Sequence, residues 1–312
     1  MTGRGTKAGK PARVAWATVG GVRIKHPNKV WWPAEGITKL DVANHYAAVA
    51  SRMLPWLKDR PLTAERCPDG IGGECFYQKN FEHGLGPNVP TRAIPAQNGQ
   101  EIVHYVIGGS VRPLLTLVEL GCIAVHVMNC RVGSLDRPDW LTFDLDPSSG
   151  EFAEAAKASL TLRKILQELG LHSYPKTTGG RGLHVLVPLR HGPNQERVRD
   201  FAHGVCQEMA RRSPDLVTTE LAKAKRGRRV FADWIRNAFG ETIAAPYSVR
   251  RRAGAPVSVP LEWDEVEPKL DPNRFELRNI ETRLAQPDPW AASLLRTQRL
   301  PDLPLRQGLP KL

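Results

Sequence analysis

The arrangement of apolar residues predicts that strands and helices alternate through the middle of the chain. Apolar residues recur at helical spacing over residues 151–169 and again from about Asn194 to Arg212, so two helices are expected there, the first capped by Ser149 and ended at Gly170. Period-two alternation and short apolar runs predict strands near residues 122–128, 140–146, 172–176, 183–189 and 228–235. Strands that alternate with helices are typical of an α/β or α+β fold.

The two flanks of the chain have other patterns. Residues 36–58 show helical spacing with Thr38 as the expected N-cap, whereas the glycine- and proline-rich residues 60–115 predict short strands joined by loops. Beyond about residue 262 the chain is proline-rich and polar, with one short helix expected at 289–298. The basic residues 1–14 are expected to form a flexible tail.

The strand WLTFDLD, residues 140–146, carries charge on one face only. Its three alternate apolar residues share one face, whereas Asp144 and Asp146 share the other face with Thr142. Two carboxylates about 7 Å apart along a strand can bracket two divalent ions spaced about 3.5–4 Å. Acids are also common at strand ends, so this pair alone leaves a purely structural role open.

A third aspartate interrupts the strand RRVFADWI. Taken alone, Asp233 suits an edge-strand charge or a partner for a nearby arginine. Together with Asp144 and Asp146 it supplies the third carboxylate of a two-metal phosphoryl-transfer site.

The segment KTTGGRGLHV places a glycine-rich loop directly before a strand. It is not a P-loop, because the Gly-x-x-x-x-Gly-Lys-Ser/Thr pattern is absent. Its glycines would let backbone N–H groups approach a phosphate, and Thr178, Arg181 and His184 would add donors. The alternative is a glycine hairpin beside a core histidine.

Basic and aromatic residues flank these motifs. Basic clusters at residues 223–229 and 250–252 suit a triphosphate or a nucleic-acid backbone, although charge runs are commonly solvated faces. Phe76 and Tyr77 lie beside glycines, as in a base-stacking platform, and the alternative for both is the core. The formal net charge of +12 makes nucleic acid the first partner to consider and an anionic membrane the second.

Cysteine usage and hydropathy favour a cytoplasmic protein. The chain has no secretory signal and no apolar segment long enough to span a bilayer. The five cysteines are odd in number and include no Cys-x-x-Cys pair, which predicts reduced thiols. Zinc binding by Cys122, His126 and Cys130 is disfavoured, because four residues of a strand span about 13 Å.

Four unlinked motifs together carry a family resemblance. FDLDP, the glycine segment ending in GLHV, VFADWIRN and APYSVRRRAGAP occur in the order and approximate spacing of the polymerase/primase domain of bacterial DNA ligase D. HPNKVWWPAEGITK and RPLTAERCPDGI resemble the N-terminal segments of that family, so the similarity runs from about residue 20 to 300. The chain departs from the family pattern in having Thr-Gly-Gly-Arg before GLH and no Pro-Trp after His126.

The resemblance implies an archaeo-eukaryotic primase-like fold, with two lobes of mixed sheet flanked by helices and an active-site cleft between them. A catalytic domain at 15–300 is then expected to comprise an N-terminal lobe at about 15–135, a catalytic lobe at about 136–262 and a C-terminal wrap at about 263–300, followed by a tail at 301–312.

Residue roles follow from the matched motifs. Asp144, Asp146 and Asp233 match the metal-binding acids of the family. Lys29 and Lys39 match residues that grip a DNA 5′-phosphate, and Phe76 matches one that stacks on a template base. The expected nucleotide-binding residues are His126, Thr178, Arg181, His184, Arg226, Arg236, Arg250 and Arg252.

The implied function is template-directed extension of 3′ ends and gap filling in non-homologous end joining, with ready insertion of ribonucleotides. The resemblance implies two Mn²⁺ ions per site, with Mg²⁺ as the alternative. Expected partners are gapped or primer-template DNA, broken ends, NTPs and dNTPs, Ku and a DNA ligase, with no membrane; the expected protein is a nucleoid-associated monomer, stand-alone or one domain of a larger chain. A non-catalytic DNA-end-binding module and a two-metal nuclease are the alternatives.

Overall fold

The structure is a computed structural model that describes residues 15–301, apart from residues 84, 97, 98 and 191. The expected tail at 1–14, and the expected tail at 301–312 except Pro301, lie outside the described residues.

Seven α-helices lie in the described residues. They are α1 (Lys39–Ala48), α2 (Ala50–Leu57), α3 (Val111–Glu119), α4 (Phe152–Glu168), α5 (Gln195–Arg212), α6 (Lys223–Arg226) and α7 (Glu281–Leu284). Single turns of 3-10 helix lie at Ile235–Asn237, Trp263–Glu265 and Ser293–Leu295.

The described residues also form fifteen strands, several of only two or three residues. They are β1 (Trp16–Val19), β2 (Val22–Lys25), β3 (Val30–Trp32), β4 (Ile37–Thr38), β5 (Pro61–Arg66), β6 (Phe76–Gln78), β7 (Thr91–Pro95), β8 (Ile102–Ile107), β9 (Cys122–Val127), β10 (Trp140–Pro147), β11 (Tyr174–Thr177), β12 (Leu183–Pro188), β13 (Val217–Thr218), β14 (Val230–Asp233) and β15 (Ile243–Ala244).

The helices confirm most of the expected boundaries. Thr38 caps α1 in a full capping box with Asp41, Asn194 caps α5, and Gly170 follows α4 with a φ of +71°. The expectation for Ser149 is wrong: the N-cap of α4 is Glu151, and the Ser149 hydroxyl accepts a hydrogen bond from the backbone N–H of Glu151 (3.1 Å).

Two stretches differ from the sequence expectation. The predicted helix within 36–58 is two helices, with Val49 as C-cap of the first and N-cap of the second. Residues 111–119 form α3 where loops and strands were expected up to 115, because a continuous apolar run does not distinguish a buried helix from a buried strand. The helix expected at 289–298 is reduced to the single turn at Ser293–Leu295.

Two larger sheets confirm the mixed α+β architecture. One has the order β11-β12-β10-β14-β13, and all its neighbours are antiparallel except the parallel pair β13 and β14. The other has the order β15-β9-β5-β8-β7, with β6 also paired to β5. β15 comes from residues 243–244 yet joins the sheet built from the N-terminal half, so the chain crosses back after β14.

The core under the first sheet fixes which way its strands face. Leu141, Phe143 and Leu145 of β10 are fully buried in one cluster with apolar residues of α4 and α5. This confirms the predicted alternation along β10. The opposite face of the same strand is left for the polar residues.

One pair of cysteines contradicts the expectation of reduced thiols. Cys67 and Cys75 form a disulfide, whereas Cys122, Cys130 and Cys206 are free and buried. β5 and β6 pair up to Arg66 opposite Phe76, so the two cysteines meet at the end of this ladder, a proximity that spacing alone does not show. In the described part of the chain, no helix is both long and apolar enough to span a membrane.

Candidate active site

Four ionisable residues form a row across four adjacent strands. Lys176 of β11 is opposite His184 of β12, His184 is opposite Asp144 of β10, and Asp144 is opposite Asp233 of β14. Directly opposed residues on paired strands lie on the same face of a sheet. All four side chains are therefore on the face opposite the apolar core, and all four are buried.

Asp144 is at the centre of this row, with a ring nitrogen of His184 near one carboxylate oxygen and the guanidinium of Arg236 near the other. Its Oδ1 lies 3.3 Å from Nε2 of His184, and its Oδ2 lies 3.5 Å from Nε of Arg236. The same Nε of Arg236 is 3.2 Å from Oδ2 of Asp233. The contact with His184 is not aligned for a hydrogen bond, so Asp144 Oδ1 is buried without a hydrogen-bond partner.

Burial and the charge of Asp144 raise the pKa values of the aspartates. The charge of Asp144 is the largest influence on Asp146 and, with burial, raises its pKa to about 7. Burial, and then the charge of Asp144, raises the pKa of Asp233 to about 6. Burial also raises the pKa of Asp144, opposed chiefly by Arg236. Burial and the charge of Asp144 thus disfavour the ionised form of these acids, and the nearby arginines favour it.

These oxygens suit a hard divalent cation. Carboxylate oxygens are the donors that Mg²⁺ and Mn²⁺ prefer, and a cation would favour the ionised form of these acids, which burial and the charge of Asp144 disfavour. Within the described residues, no group of three or more His, Cys, Asp or Glu side chains is already arranged around one ion position. The guanidinium of Arg236 lies between Asp144 and Asp233 and supplies the positive charge there.

The glycine loop after β11 lies close to β10. A Cβ on Gly182 would come within 2.5 Å of the carbonyl oxygen of Leu145 and 3.2 Å of Oδ1 of Asp146. Gly179 has a φ of +66°, which favours glycine. The loop is also tied to the second basic cluster, because Nη1 of Arg250 donates to the carbonyl of Thr178 (2.9 Å).

A cavity of about 800 Å³ opens above the aspartates. It brings together most of the residues that the sequence singled out, from both large sheets. The expected site residues that line it are His126, Asp144, Asp146, Thr178, Arg181, His184, Arg226, Arg236, Arg250 and Arg252. Asp233 is not among the lining residues, but it contacts Arg236, which is.

Several residues of the site carried no sequence signal. Thr63 lines the cavity with a buried hydroxyl that has no hydrogen-bond partner. It lies near His126, a residue that the sequence did single out, because Thr63 and His126 are opposite each other on paired strands. Lys176 is fully buried and donates to Oγ of Ser258 (2.5 Å), while burial keeps its pKa well below its usual value. The side-chain amide of Asn237 forms two hydrogen bonds with the backbone of Thr142 in β10. Its Oδ1 accepts from the Thr142 N–H (2.8 Å), and its Nδ2 donates to the Thr142 carbonyl (2.7 Å). Strand pairing brings Thr63 and Lys176 to the site, and the 3-10 turn at Ile235–Asn237 brings Asn237.

The proposed DNA-binding residues lie outside the cavity lining. Lys29 pairs with Asp69 (2.6 Å), and the largely buried Lys39 pairs with Glu119 (2.7 Å). Phe76 is exposed but does not line the cavity, whereas its neighbour Tyr77 does, with its ring edge-on to that of His126 at 5.4 Å. The structure therefore brings Tyr77, rather than Phe76, to the catalytic face.

Comparison with known proteins identifies relatives of this arrangement. Residues 38–290 match the family model of the LigD primase-polymerase domain. The chain is 36% identical over 291 residues to the multifunctional non-homologous end joining protein LigD of Pseudomonas aeruginosa, covering 91% of this chain and 34% of that protein. It is 30% identical over 250 residues to the bifunctional non-homologous end joining protein LigD of Bacillus subtilis, covering 79% of this chain and 40% of that protein.

A solved structure extends the likeness to the fold. The polymerase domain from Mycobacterium tuberculosis ligase D, in complex with DNA, superposes with a TM-score of 0.82 at 30% sequence identity, over 89% of this chain and 99% of that one. The chain spans about a third of the length of the P. aeruginosa relative, in which it matches one part.

Proposed function

The chain belongs to the LigD primase-polymerase domain family, and from this premise we propose that it is a template-directed nucleotidyltransferase that extends the 3′-hydroxyl of a primer or a broken DNA end. The observation that carries the proposal is the row formed by His184, Asp144 and Asp233. His184 and Asp144, together with Asp146, line a basic cavity. This combination suits phosphoryl transfer, in which catalysis is chiefly positioning and charge stabilisation.

The three aspartates are the proposed metal ligands. Asp144 and Asp146 would hold two divalent ions, and Asp233 would be a further ligand of the ion nearest the primer terminus. When bound, the ions supply charge neutralisation at the triphosphate and lower the pKa of the attacking hydroxyl. Arg236 would have to leave its place between Asp144 and Asp233, which frees its guanidinium for phosphate. We propose Mn²⁺ as the preferred ion.

The cavity walls are the proposed triphosphate site. Arg250 and Arg252 of one turn and Arg181 of the glycine loop all line the cavity. Arginine binds phosphate through two parallel N–H groups, so these residues can orient the triphosphate while its charge redistributes. His184 is held neutral by burial, which lowers its pKa well below the usual value, and can donate one ring N–H to a phosphate oxygen.

Lys29 and Lys39 are the proposed contacts to a recessed 5′-phosphate. The phosphate would displace Asp69 from Lys29, an exposed pair that contributes little to stability and is easily exchanged. Lys39 is less accessible and would act chiefly through its charge. We also propose that Phe76 stacks on a template base. Tyr77, which lines the cavity, is a second aromatic ring available for stacking.

The wider biological role is inferred from the relatives. We propose that the protein fills gaps and extends ends during non-homologous end joining, working with Ku and a DNA ligase at the nucleoid in the cytoplasm. Insertion of ribonucleotides and action as a monomer are part of the same proposal.

Extension of a gapped duplex tests this function directly. The substrate carries a recessed 5′-phosphate and a 5′-labelled primer, and is incubated with Mn²⁺ or Mg²⁺ and with rNTPs or dNTPs. We expect template-directed extension, faster with Mn²⁺ and with the 5′-phosphate present. Shortening of the labelled primer would instead identify a nuclease, and binding without any incorporation would identify a non-catalytic DNA-end-binding module.

A further inference from the structure

A short hairpin links the two proposed phosphate-binding lysines to the turn at residues 250–255, which we call the arginine turn. β3 pairs with β4, and the backbone N–H of Lys39 donates to the carbonyl of Lys29 (2.9 Å). Lys29 directly precedes β3, and Lys39 directly follows β4 and begins α1. The two lysines are therefore fixed side by side at the base of residues 29–39, which we call the lysine hairpin.

The far end of the lysine hairpin holds the arginine turn by two hydrogen bonds. Nε1 of Trp32 donates to the carbonyl of Arg252 (2.7 Å), and Trp32 is fully buried. Oε1 of Glu35 accepts from the backbone N–H of Gly254 (2.5 Å). Both contacts are made to the backbone of the turn, so they fix its position without occupying the arginine side chains.

The arginine turn in turn positions the wall of the cavity. The carbonyl of Arg252, which accepts the hydrogen bond from Trp32, also accepts one from the backbone N–H of Ala255 (3.1 Å). The backbone N–H of Arg252 in turn donates to the carbonyl of Arg250 (2.8 Å). Arg250 and Arg252 both line the cavity. A displacement of Trp32 or Glu35 would therefore also move Arg250 and Arg252, two residues of the proposed triphosphate site.

The adjacent tryptophan provides an internal contrast. Trp31 is as buried as Trp32, but its Nε1 has no hydrogen-bond partner. The packing of the two indoles is therefore comparable, while only Trp32 makes the polar contact with the arginine turn.

We propose that Trp32 and Glu35 are positioning residues that couple the lysine hairpin to the Arg250–Arg252 turn, so that a 5′-phosphate bound at Lys29 and Lys39 raises the affinity for the incoming triphosphate. The inference rests on the proposed function. Coupling between two binding sites is reciprocal, so bound triphosphate also raises affinity for the 5′-phosphate by the same factor.

The test measures this coupling as a ratio of affinities. A fluorescent triphosphate is titrated, with Mn²⁺, into the protein bound to gapped DNA with a 5′-phosphate or with a 5′-hydroxyl, and single-nucleotide extension is followed on the same two duplexes. The wild-type protein is expected to bind the triphosphate about fivefold more tightly with the 5′-phosphate present, the scale of one hydrogen bond. Trp32→Phe, which keeps an aromatic ring, and the partly exposed Glu35→Ala are expected to reduce this ratio towards one. Trp31→Phe is the matched control and is expected to keep it.

Three results would overturn the coupling: a wild-type ratio of one, a ratio unchanged in both Trp32→Phe and Glu35→Ala, or an equal loss in Trp31→Phe. Each of these leaves extension by the wild-type protein intact, and so leaves the proposed function standing. A wild-type protein that neither binds the triphosphate nor extends the primer would overturn both.

Discussion

Asp144 and Asp233 are directly opposite each other on neighbouring antiparallel strands, and a single nitrogen, Nε of Arg236, lies within 3.5 Å of both carboxylates. Two acids in adjacent strands of a buried sheet face repel each other. The positive charge of a cation between them offsets this repulsion. In the structure this cation is the guanidinium of Arg236, and in the proposed mechanism a metal ion would take its place.

Substitution of Gly182 is expected to disable nucleotide binding. A Cβ at this position would collide with the carbonyl of Leu145 and crowd Asp146, so Gly182→Ala forces the glycine loop away from β10. We expect primer extension to fall by more than about tenfold, an effect of about 1.4 kcal/mol on the transition state. Gly133→Ala is the control, because no atom lies within 4 Å of its added Cβ. Equal activity of the two variants would contradict this account of the loop.

Asn237 is expected to hold β10 in place. It is fully buried, and its amide satisfies both the N–H and the carbonyl of Thr142, two residues before Asp144. Asn237→Ala leaves these buried groups unpaired and should lower the free energy of unfolding by about 2–3 kcal/mol. Urea unfolding measures the loss, with the exposed Asn273→Ala as control. A loss below about 0.5 kcal/mol, typical of a surface site, would contradict the prediction.

The disulfide between Cys67 and Cys75 is expected to add stability. It closes a loop between residues eight apart in sequence, and restriction of the unfolded chain by so short a loop is worth about 2–3 kcal/mol. A reducing agent should therefore lower the urea midpoint of the wild-type protein. Cys75→Ser should begin at the lower midpoint and not respond to reductant. Identical unfolding curves for the wild-type protein with and without reductant would show that the bridge contributes nothing.

His45 is expected to make stability depend on pH. It is buried with Nε2 2.9 Å from the carbonyl of Tyr247, and burial lowers its pKa from 6.5 to about 4. Because the folded pKa is depressed, the unfolded chain binds a proton between pH 6.5 and 4 that the folded chain does not, and stability falls as the pH falls through this window.

Within this window His45 is expected to change the free energy of unfolding by up to about 1.4 kcal/mol per pH unit. Chemical unfolding at several pH values, compared with His45→Gln, isolates this contribution from that of other histidines. The prediction would be contradicted if the difference in free energy of unfolding between the wild-type protein and His45→Gln stayed the same from pH 7 to pH 4.

The sequence was sufficient for the parts of the fold that depend on local pattern. Alternation along 140–146 placed Asp144 and Asp146 away from the core, capping chemistry located the start of α1, and helical spacing located the start of α5. Ser149 was misassigned because a serine near a helix start can bind a backbone N–H without being the cap residue.

The remainder depends on contacts between distant parts of the chain. Asn237 reaches Thr142 across 95 positions, and Trp32 reaches Arg252 across 220, so no local pattern indicates either contact. The pairing of Cys67 with Cys75 follows from the β5–β6 register. The match of Lys29 and Lys39 to phosphate ligands did not show that each has a carboxylate partner.

The most direct test of the central claim is primer extension by Asp144→Asn with Mn²⁺, measured together with DNA binding. The substitution keeps the size of the side chain and removes the charge at the centre of the row. We predict that extension falls by more than about a hundredfold while affinity for gapped DNA is unchanged, with Asp200→Asn, a half-buried acid on α5 paired with Arg199, as the active control. Wild-type extension by Asp144→Asn would contradict the account.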